Sequence, residues 1–596
     1  MTWPALLALA LIAADRPTPF AIEVVDAQTK RGVPLIELRT VNDIRLVTDS
    51  HGLAAFDEPG LMDQPVFFHV KGHGYDFPKD GFGQAGKALN VKPGGVARIE
   101  VRRVNIAERR YRVTGGGIYR DSLLLGRPVP IRQPALNAQV FGSDSVQIAL
   151  FGGKIRWFWG DTNRPKYPLG LFDTPTASSK FPADGGLDPD LGVDLDYSTG
   201  PDGFAAASAK MPGPGPTWID GVTVVPDATG RERLFAAYAK IKPPMETYER
   251  GLIEFDPRTE RFAKAAPIPL DAPIRPFGHP SRHSEGGVDY VYFADPYPLV
   301  RVPATAEAYL DLARYEAFTC LLPGSTTAQP KIDRDETGAP RYAWRQGAPT
   351  LDGPDEDGWI RAGRIDREQA LHPLRDADTG RTVVAHRGSA FPNPFRNRWV
   401  MIACEIGGTS SNLGEIWYAE ADAPLGPWVY ARKVVTHDKY SFYNPRQHPE
   451  FAKDNGRTIY FEGTYTASFS GNTDPTPRYD YNQIMYRLDL GDDRLNLPVP
   501  VYRQGQDYAL RTPGHPIAFF ARDRPAPGTI PVKLGALEIH ALPADLKDAP
   551  ATTVPLYATP GRDGAPPTFA TEPPAPQAQP IARVWRNPTR VVLPGG

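Results

Sequence analysis

The sequence predicts an all-β protein, a small N-terminal β-sandwich followed by a five-bladed β-propeller. Three observations lead there. Proline is abundant, at 65 residues against the roughly 30 that an average usage of about 5% would give, and 56 glycines accompany it. Such punctuation divides a chain into short strands and turns. Alternating apolar and polar runs fill most of the first hundred positions, and an aromatic strand signal then recurs five times between Ile155 and Gly463.

A chain of 596 residues exceeds what one hydrophobic core usually serves, so two or three domains are expected. The formal charge is -2, from 67 Lys and Arg against 69 Asp and Glu. No basic surplus points to nucleic acid or to a membrane surface as a partner, and a monomer is expected. Residues 1–14 read as a signal peptide. The apolar run Pro4 to Ala14 is too short to span a bilayer, but it suits the h-region of a secretory signal and is followed at once by Asp15-Arg16-Pro17. A secreted or periplasmic protein is the expectation, although no Lys or Arg precedes the run. Cys320 and Cys404, the two cysteines, stand far apart in unrelated strands and imply no disulfide framework.

Residues 15–104 form the predicted sandwich. Ala21 to Val25, Pro34 to Arg39, Val66 to Val70 and Ala97 to Val101 alternate apolar and polar and are divided by Gly, Pro and Asp, the pattern of a small antiparallel sandwich. The order Gly32-Val-Pro-Leu35, Thr48-Asp-Ser-His-Gly52, Ala55-Phe56 and Gly72-His-Gly-Tyr75 resembles the transthyretin-like, carboxypeptidase-regulatory type of domain. That resemblance implies a hairpin turn at Thr48-Asp-x-x-Gly52, with Gly52 at positive φ. His69 and His73 have no third ligand in view and read as surface or strand histidines. No metal site is assigned and no cofactor is called for; a structural calcium stays open.

Residues 105–510 form the predicted propeller. The strands Ile155–Thr162, Leu234–Ala239, Asp289–Asp295, Trp399–Glu405 and Thr458–Gly463 share their aromatic character. Four of them run on into a further strand pair, the last of these being Gln483–Arg487 followed by Val499–Tyr502. Ahead of each aromatic strand stands a short polar-tipped segment: Phe141-Gly-Ser-Asp144, Trp218-Ile-Asp-Gly221, Phe277-Gly-His-Pro280, Ser389-Ala-Phe-Pro-Asn393 and Arg446-Gln-His-Pro449. In a propeller the first strand of each blade lines the central channel, so Asp144, Asp220, His279 and His448 are expected at one pocket. Turn chemistry alone also produces Asp-Gly and His-Pro pairs. The stretch Ala348 to Arg381 reads as an insertion, with a short helical pattern around Arg367 to Leu371. Residues 511–596 are a C-terminal extension ending in a Pro-rich tail.

Asp144 to Thr162, which closes on Trp-Gly-Asp-Thr, resembles the opening blade of a family of exported bacterial propellers known by a Phe-Gly-Asp-Thr signature, with Trp159 in place of the usual Phe. Gly414 to Trp428 is similar to outer strands in the same propellers. The resemblance extends over about 390 residues but is carried by these two motifs. It implies kinship with five-bladed arabinanase-, xylosidase- and fructosidase-type glycoside hydrolases, hence a carbohydrate substrate such as an arabinan-type polysaccharide.

Glycosidic cleavage needs one carboxylic acid to protonate the leaving oxygen and one carboxylate to activate water or to attack the sugar. The catalytic candidates are Asp144 or Asp161 as base or nucleophile, Glu405 as acid, and Asp220 as the charge that keeps the acid's pKa up. Asp161 and Glu462 read equally as turn and cap residues. Trp218, His279, Arg387, His448, Glu462 and Tyr465 are the candidate substrate contacts; Arg387 suits either an anionic sugar or a neighbouring glutamate. The alternative function is a non-catalytic propeller that binds glycans or proteins.

Overall fold

The computed structural model describes residues 18–510, apart from 172, 327, 328, 373, 422, 427, 496, 498, 505 and 506, and short stretches between 530 and 585. The expected signal peptide lies outside the described residues. The chain divides into two compact units, one of residues 1–102 with 119–129 and one of residues 103–118 with 130–596.

The smaller unit is a β-sandwich whose core is set by alternation. Phe20, Ile22 and Val24 on the first strand, Phe20–Asp26, pack with Ile36, Leu38, Phe56, Phe68, Ile99 and Val101. One expectation is corrected. The sheet is not antiparallel throughout, because Ala21–Asp26 pairs in parallel with Val96–Val101. The predicted turn is present: Asp49 Oδ1 accepts from the amides of His51 (3.0 Å) and Leu53 (3.2 Å), and Gly52 sits at φ 77°, where a Cβ would strike the Val24 carbonyl oxygen at 2.6 Å. The short helix Arg120–Leu124 belongs to this unit, since Asp49 Oδ2 accepts from the Ser122 amide and hydroxyl at 2.6 and 2.7 Å. His69 lies on the strand Gln64–Gly72, edge-on to Phe67.

The larger unit is the propeller. Blade 1 comprises Gln147–Phe151, Lys154–Phe158, Thr176–Ser179 and Asp196–Tyr197. Blade 2 comprises Thr217–Pro226, Glu232–Lys242, Glu246–Asp256 and Arg261–Ile268. Blade 3 comprises His279–Glu285, Val288–Ala294, Pro298–Pro303 and Glu316–Thr319, extended by Ala343–Arg345. Blade 4 comprises Ala385–Asn393, Arg398–Glu405, Ile416–Ala421 and Tyr430–Val435, with Arg375–Asp376 added in parallel at its outer edge. Blade 5 comprises Ser441–Gln447, Thr458–Thr466 and Asn482–Asp489, and its outer strand is Glu108–Arg112, from the start of this unit. The ring is thereby closed by pairing the two ends of the propeller sequence. Val499–Tyr502, expected as that fourth strand, belongs to the strand Val499–Gln504, which pairs instead with Asp507–Leu510 and Ile530–Pro531.

Each of the five aromatic strands is second in its blade, and packing explains their composition. A second strand is covered on both faces by neighbouring blades, so every residue of Arg398–Glu405 and of Thr458–Thr466 is buried. Phe158 of blade 1 packs with Leu234 and Phe255 of blade 2. Phe235 of blade 2 packs with Phe293 and Tyr309 of the blade 3 segment. Trp157 of blade 1 packs with Tyr460 and Met485 of blade 5 and with Tyr111 of the closing strand. Burying an aromatic side chain removes about 150–250 Å² from water, worth roughly 4–6 kcal/mol before entropy is counted. In the insertion, the helix is Gly353–Arg361, capped by the Asp352 side chain on the Asp355 amide, and Arg367–Gln369 forms only one 3-10 turn. The acidic residues Asp352, Asp355 and Glu356 are the N-cap and first turn of that helix, where carboxylates are favoured by the N-terminal dipole.

Candidate functional site

The inner strands, with the turns and loops beside them, bring Asp144, Asp161, Trp218, Asp220, Phe277, His279, Asp295, Arg387, Tyr443 and Phe469 to one pocket of about 470 Å³. Irregular backbone aims many of them. Register shifts interrupt the pairing between Asp220 and Thr223, Phe293 and Ala294, Ala385 and Gly388, and Tyr443 and Arg446. Bulges of this kind turn a side chain out of the regular pleat, and they collect next to binding sites. Arg387 lies within one of these shifts. Ser145, Asn444 and Phe469 also take left-handed φ values of 48°, 50° and 64°. For an exposed phenylalanine at the pocket mouth that is a strained conformation.

One wall belongs to blade 1. Asp144 Oδ2 accepts from the hydroxyls of Tyr443 and Tyr481, each at 2.9 Å. Burial, and secondarily the Asp161 charge, push Asp144 up to about 7. Asp161 Oδ1 accepts from Trp218 Nε1 at 3.0 Å, and burial raises its pKa as well. Trp218 thus fixes a carboxylate while its ring lines the pocket.

The other wall joins blades 2, 3 and 4. Asp220 Oδ1 accepts from Gln147 Nε2 at 3.1 Å and from the amides of Gly221 and Gly278, both at 2.8 Å. Gly278 serves this contact at φ 89°, where a Cβ would strike the Ala294 carbonyl at 2.2 Å. Asp295 Oδ2 pairs with Arg387 at 2.7 Å, whereas Asp220 Oδ2 is 4.0 Å from the same guanidinium. Burial pushes Asp295 up to about 7 against the pull of Arg387, and the Asp220 charge adds to the rise. Asp220 is raised too, chiefly by burial. Burial and the charges of Arg446 and Arg387 hold His279 well below its ordinary value, so it is a neutral imidazole.

Six of the ten sequence candidates therefore meet: Asp144, Asp161, Asp220, Trp218, His279 and Arg387. Four do not. Glu405, read as the acid, ends the buried strand Arg398–Glu405, where it pairs with Arg381 and accepts from Trp417 Nε1 at 2.9 Å. Its side chain is engaged with the outer part of its blade. His448 follows the inner strand of blade 5 instead of opening it, and is enclosed between Glu450 (2.9 Å) and Glu462 (3.1 Å). Glu462 is consumed in that contact. Tyr465 is buried, stacked on Tyr440 at 4.1 Å and bonded to Thr476. The position in blade 5 that matches Asp144 and Asp220 is held by Tyr443 and Asn444. Four of these pocket residues, Phe277, Asp295, Tyr443 and Phe469, are not among the sequence candidates. Asp295 directly follows the aromatic strand Val288–Ala294, and that position is its signal; Phe469 lies in a loop and carries none. Among the described residues no group of three or more His, Cys, Asp or Glu is placed to hold a metal ion.

No family model and no curated protein matches this chain. Among solved structures it is similar to an exo-β-1,3-galactanase from Phanerochaete chrysosporium with galactose (10% identity, TM-score 0.30, 62% of this chain and 67% of that one). It is also similar to a GH43_1 enzyme from Xanthomonas citri (11%, 0.29, 65% and 96%). A third is an exo-1,5-α-L-arabinanase from a bovine ruminal metagenomic library (9%, 0.29, 59% and 94%). Likenesses at such TM-scores carry no argument; the propeller rests on its strand pairing.

Proposed function

We propose that this protein is an exported glycoside hydrolase whose propeller pocket cleaves a polysaccharide of arabinan or related type. The observation that carries the reading is the convergence of four aspartates from three blades, two of them pushed up to about 7. Acid and base groups work best with pKa values near the working pH, and paired carboxyls in unlike surroundings supply such values. Asp295 takes the role of acid: Asp220, fixed by two backbone amides and the Gln147 side chain, holds a charge beside it that favours the protonated carboxyl. Asp144 takes the role of base or nucleophile, with the Tyr443 and Tyr481 hydroxyls orienting it. Asp161 and Trp218 complete that wall. Trp218 and Phe469 offer apolar faces for a sugar ring. The apolar run Pro4–Ala14 supports export, which terminal sequencing of the secreted protein would test.

A second reading, a propeller that binds glycans without cutting them, is favoured by the Asp295–Arg387 pair. The guanidinium at 2.7 Å favours the ionised carboxylate and so works against the burial that keeps the proton on Asp295. Incubating the protein with arabinans, xylans and galactans and measuring released reducing ends decides between the two. Turnover supports the hydrolase. Binding to a glycan without release of product would replace it by the binder.

A further inference from the structure

The pocket contains a cation that its own carboxylates do not neutralise. Arg275 is half-buried, lies beside the Phe277 ring at 5.0 Å and, among the described residues, has no hydrogen-bond or ion-pair partner. Arg250, on the third strand of blade 2, lines the same pocket, and its Nη1 donates to the Leu270 carbonyl. Arg387 is already engaged by Asp295. Asp220 and Asp295 attract Arg275, but neither lies within ion-pair distance; burial opposes its ionised form first, and the charge of Arg250 opposes it more strongly than either carboxylate alone favours it.

Half-burying a guanidinium without an acceptor is unfavourable, and placing a second one near it is more so. A sugar hydroxyl would satisfy one donor but would not offset two positive charges lining one pocket. A planar or tetrahedral oxyanion does both, and arginine forks match carboxylate and sulfate groups in two-point contact. We propose that Arg275 and Arg250 form a subsite for an anionic group on the glycan, the carboxylate of a uronic acid or a sulfate ester. This rests on the glycan reading above and narrows it to acidic polysaccharides. The subsite lies beside the Asp220–Asp295 wall and needs no change in the roles of the aspartates.

The test is calorimetric titration of the full protein with two matched pairs of probes. One is a glucuronoxylo-oligosaccharide and its carboxyl-reduced form; the other is a sulfated galacto-oligosaccharide and its desulfated form. At least one acidic member should bind about tenfold or more tightly than its neutral partner, and the pair that responds identifies the anion. Arg275→Gln should abolish that preference while changing the neutral affinity by less than about threefold, and Arg275→Lys should keep part of it. Melting curves accompany each variant, and should Arg275→Gln unfold, Arg250→Gln is read in its place. Equal binding of acidic and neutral members, or a preference that survives both Gln variants, would overturn the subsite. Neutral glycans bound and cut without any acidic preference would overturn it and leave the hydrolase reading standing, whereas no binding of any glycan would remove both.

Discussion

Asp144 makes the pocket pH-dependent in a direction that follows from its surroundings. The folded chain keeps the proton up to about pH 7, while an unperturbed aspartate releases it near 3.8. The stability this group contributes is therefore present in full below 3.8 and is lost as pH rises through 7. Asn at this position can still accept from Tyr443 and Tyr481 and has no charge to bury. Asp144→Asn should accordingly be more stable than the wild type at pH 8, by an amount on the order of 2 kcal/mol, with the advantage vanishing near pH 4 in denaturant titrations. A pH-independent difference would mean that the carboxylate is not desolvated. At Glu405 a neutral amide should lower stability instead, because that side chain holds its blade together. Glu405→Gln breaks its pairing with Arg381 and weakens its hold on Trp417 Nε1, a loss of about 3 kcal/mol. The turnover of the folded fraction should not change, which kinetics beside a melting curve would check.

At the scale of strands and turns, the sequence made the second strands legible because burial on both faces demands continuous apolar and aromatic runs. It was less reliable for where the first strands begin. Trp218-Ile-Asp220 and Gly278-His279 open inner strands and reach the pocket, but the similar Arg446-Gln-His448 closes one, and its histidine is enclosed by Glu450 and Glu462. A His-Pro pair marks a strand end equally well on either side, so composition cannot choose. Glu405 misled for a related reason: it stands at the end of its strand, as Asp295 stands just beyond its own, yet Asp295 faces the pocket and Glu405 an arginine within its own blade. Register shifts decide such orientations, and no residue type announces them. Gly278→Ala tests the local geometry. Positive φ and the collision with the Ala294 carbonyl should cost about 1–3 kcal/mol and displace the amide from Asp220, lowering the melting temperature and any turnover together. Unchanged values for both would contradict the placement of this turn.

At the scale of the molecule, the all-β class, the sandwich and the repeated blades were legible, but the closure was not. Val499–Tyr502 has the strand composition expected of a fourth strand, and only long-range pairing reveals that Glu108–Arg112 fills that position. Likewise nothing local says that the helix Arg120–Leu124, which follows the closing strand in sequence, belongs with the sandwich. Tyr111 anchors the closure, buried between blades with its hydroxyl donating to the Pro189 carbonyl at 2.8 Å. Tyr111→Ala should cost roughly 3–5 kcal/mol and reduce amide protection first in its pairing partner Asn482–Asp489, as read by hydrogen exchange. The central claim is that the aspartates gathered from three blades perform the chemistry. Its most direct measurement is the turnover number of Asp295→Asn and Asp144→Asn on whichever glycan the wild type cuts. Both variants should fold and lose about 10²–10⁴-fold in kcat, and full activity in either would contradict the role assigned to that carboxylate.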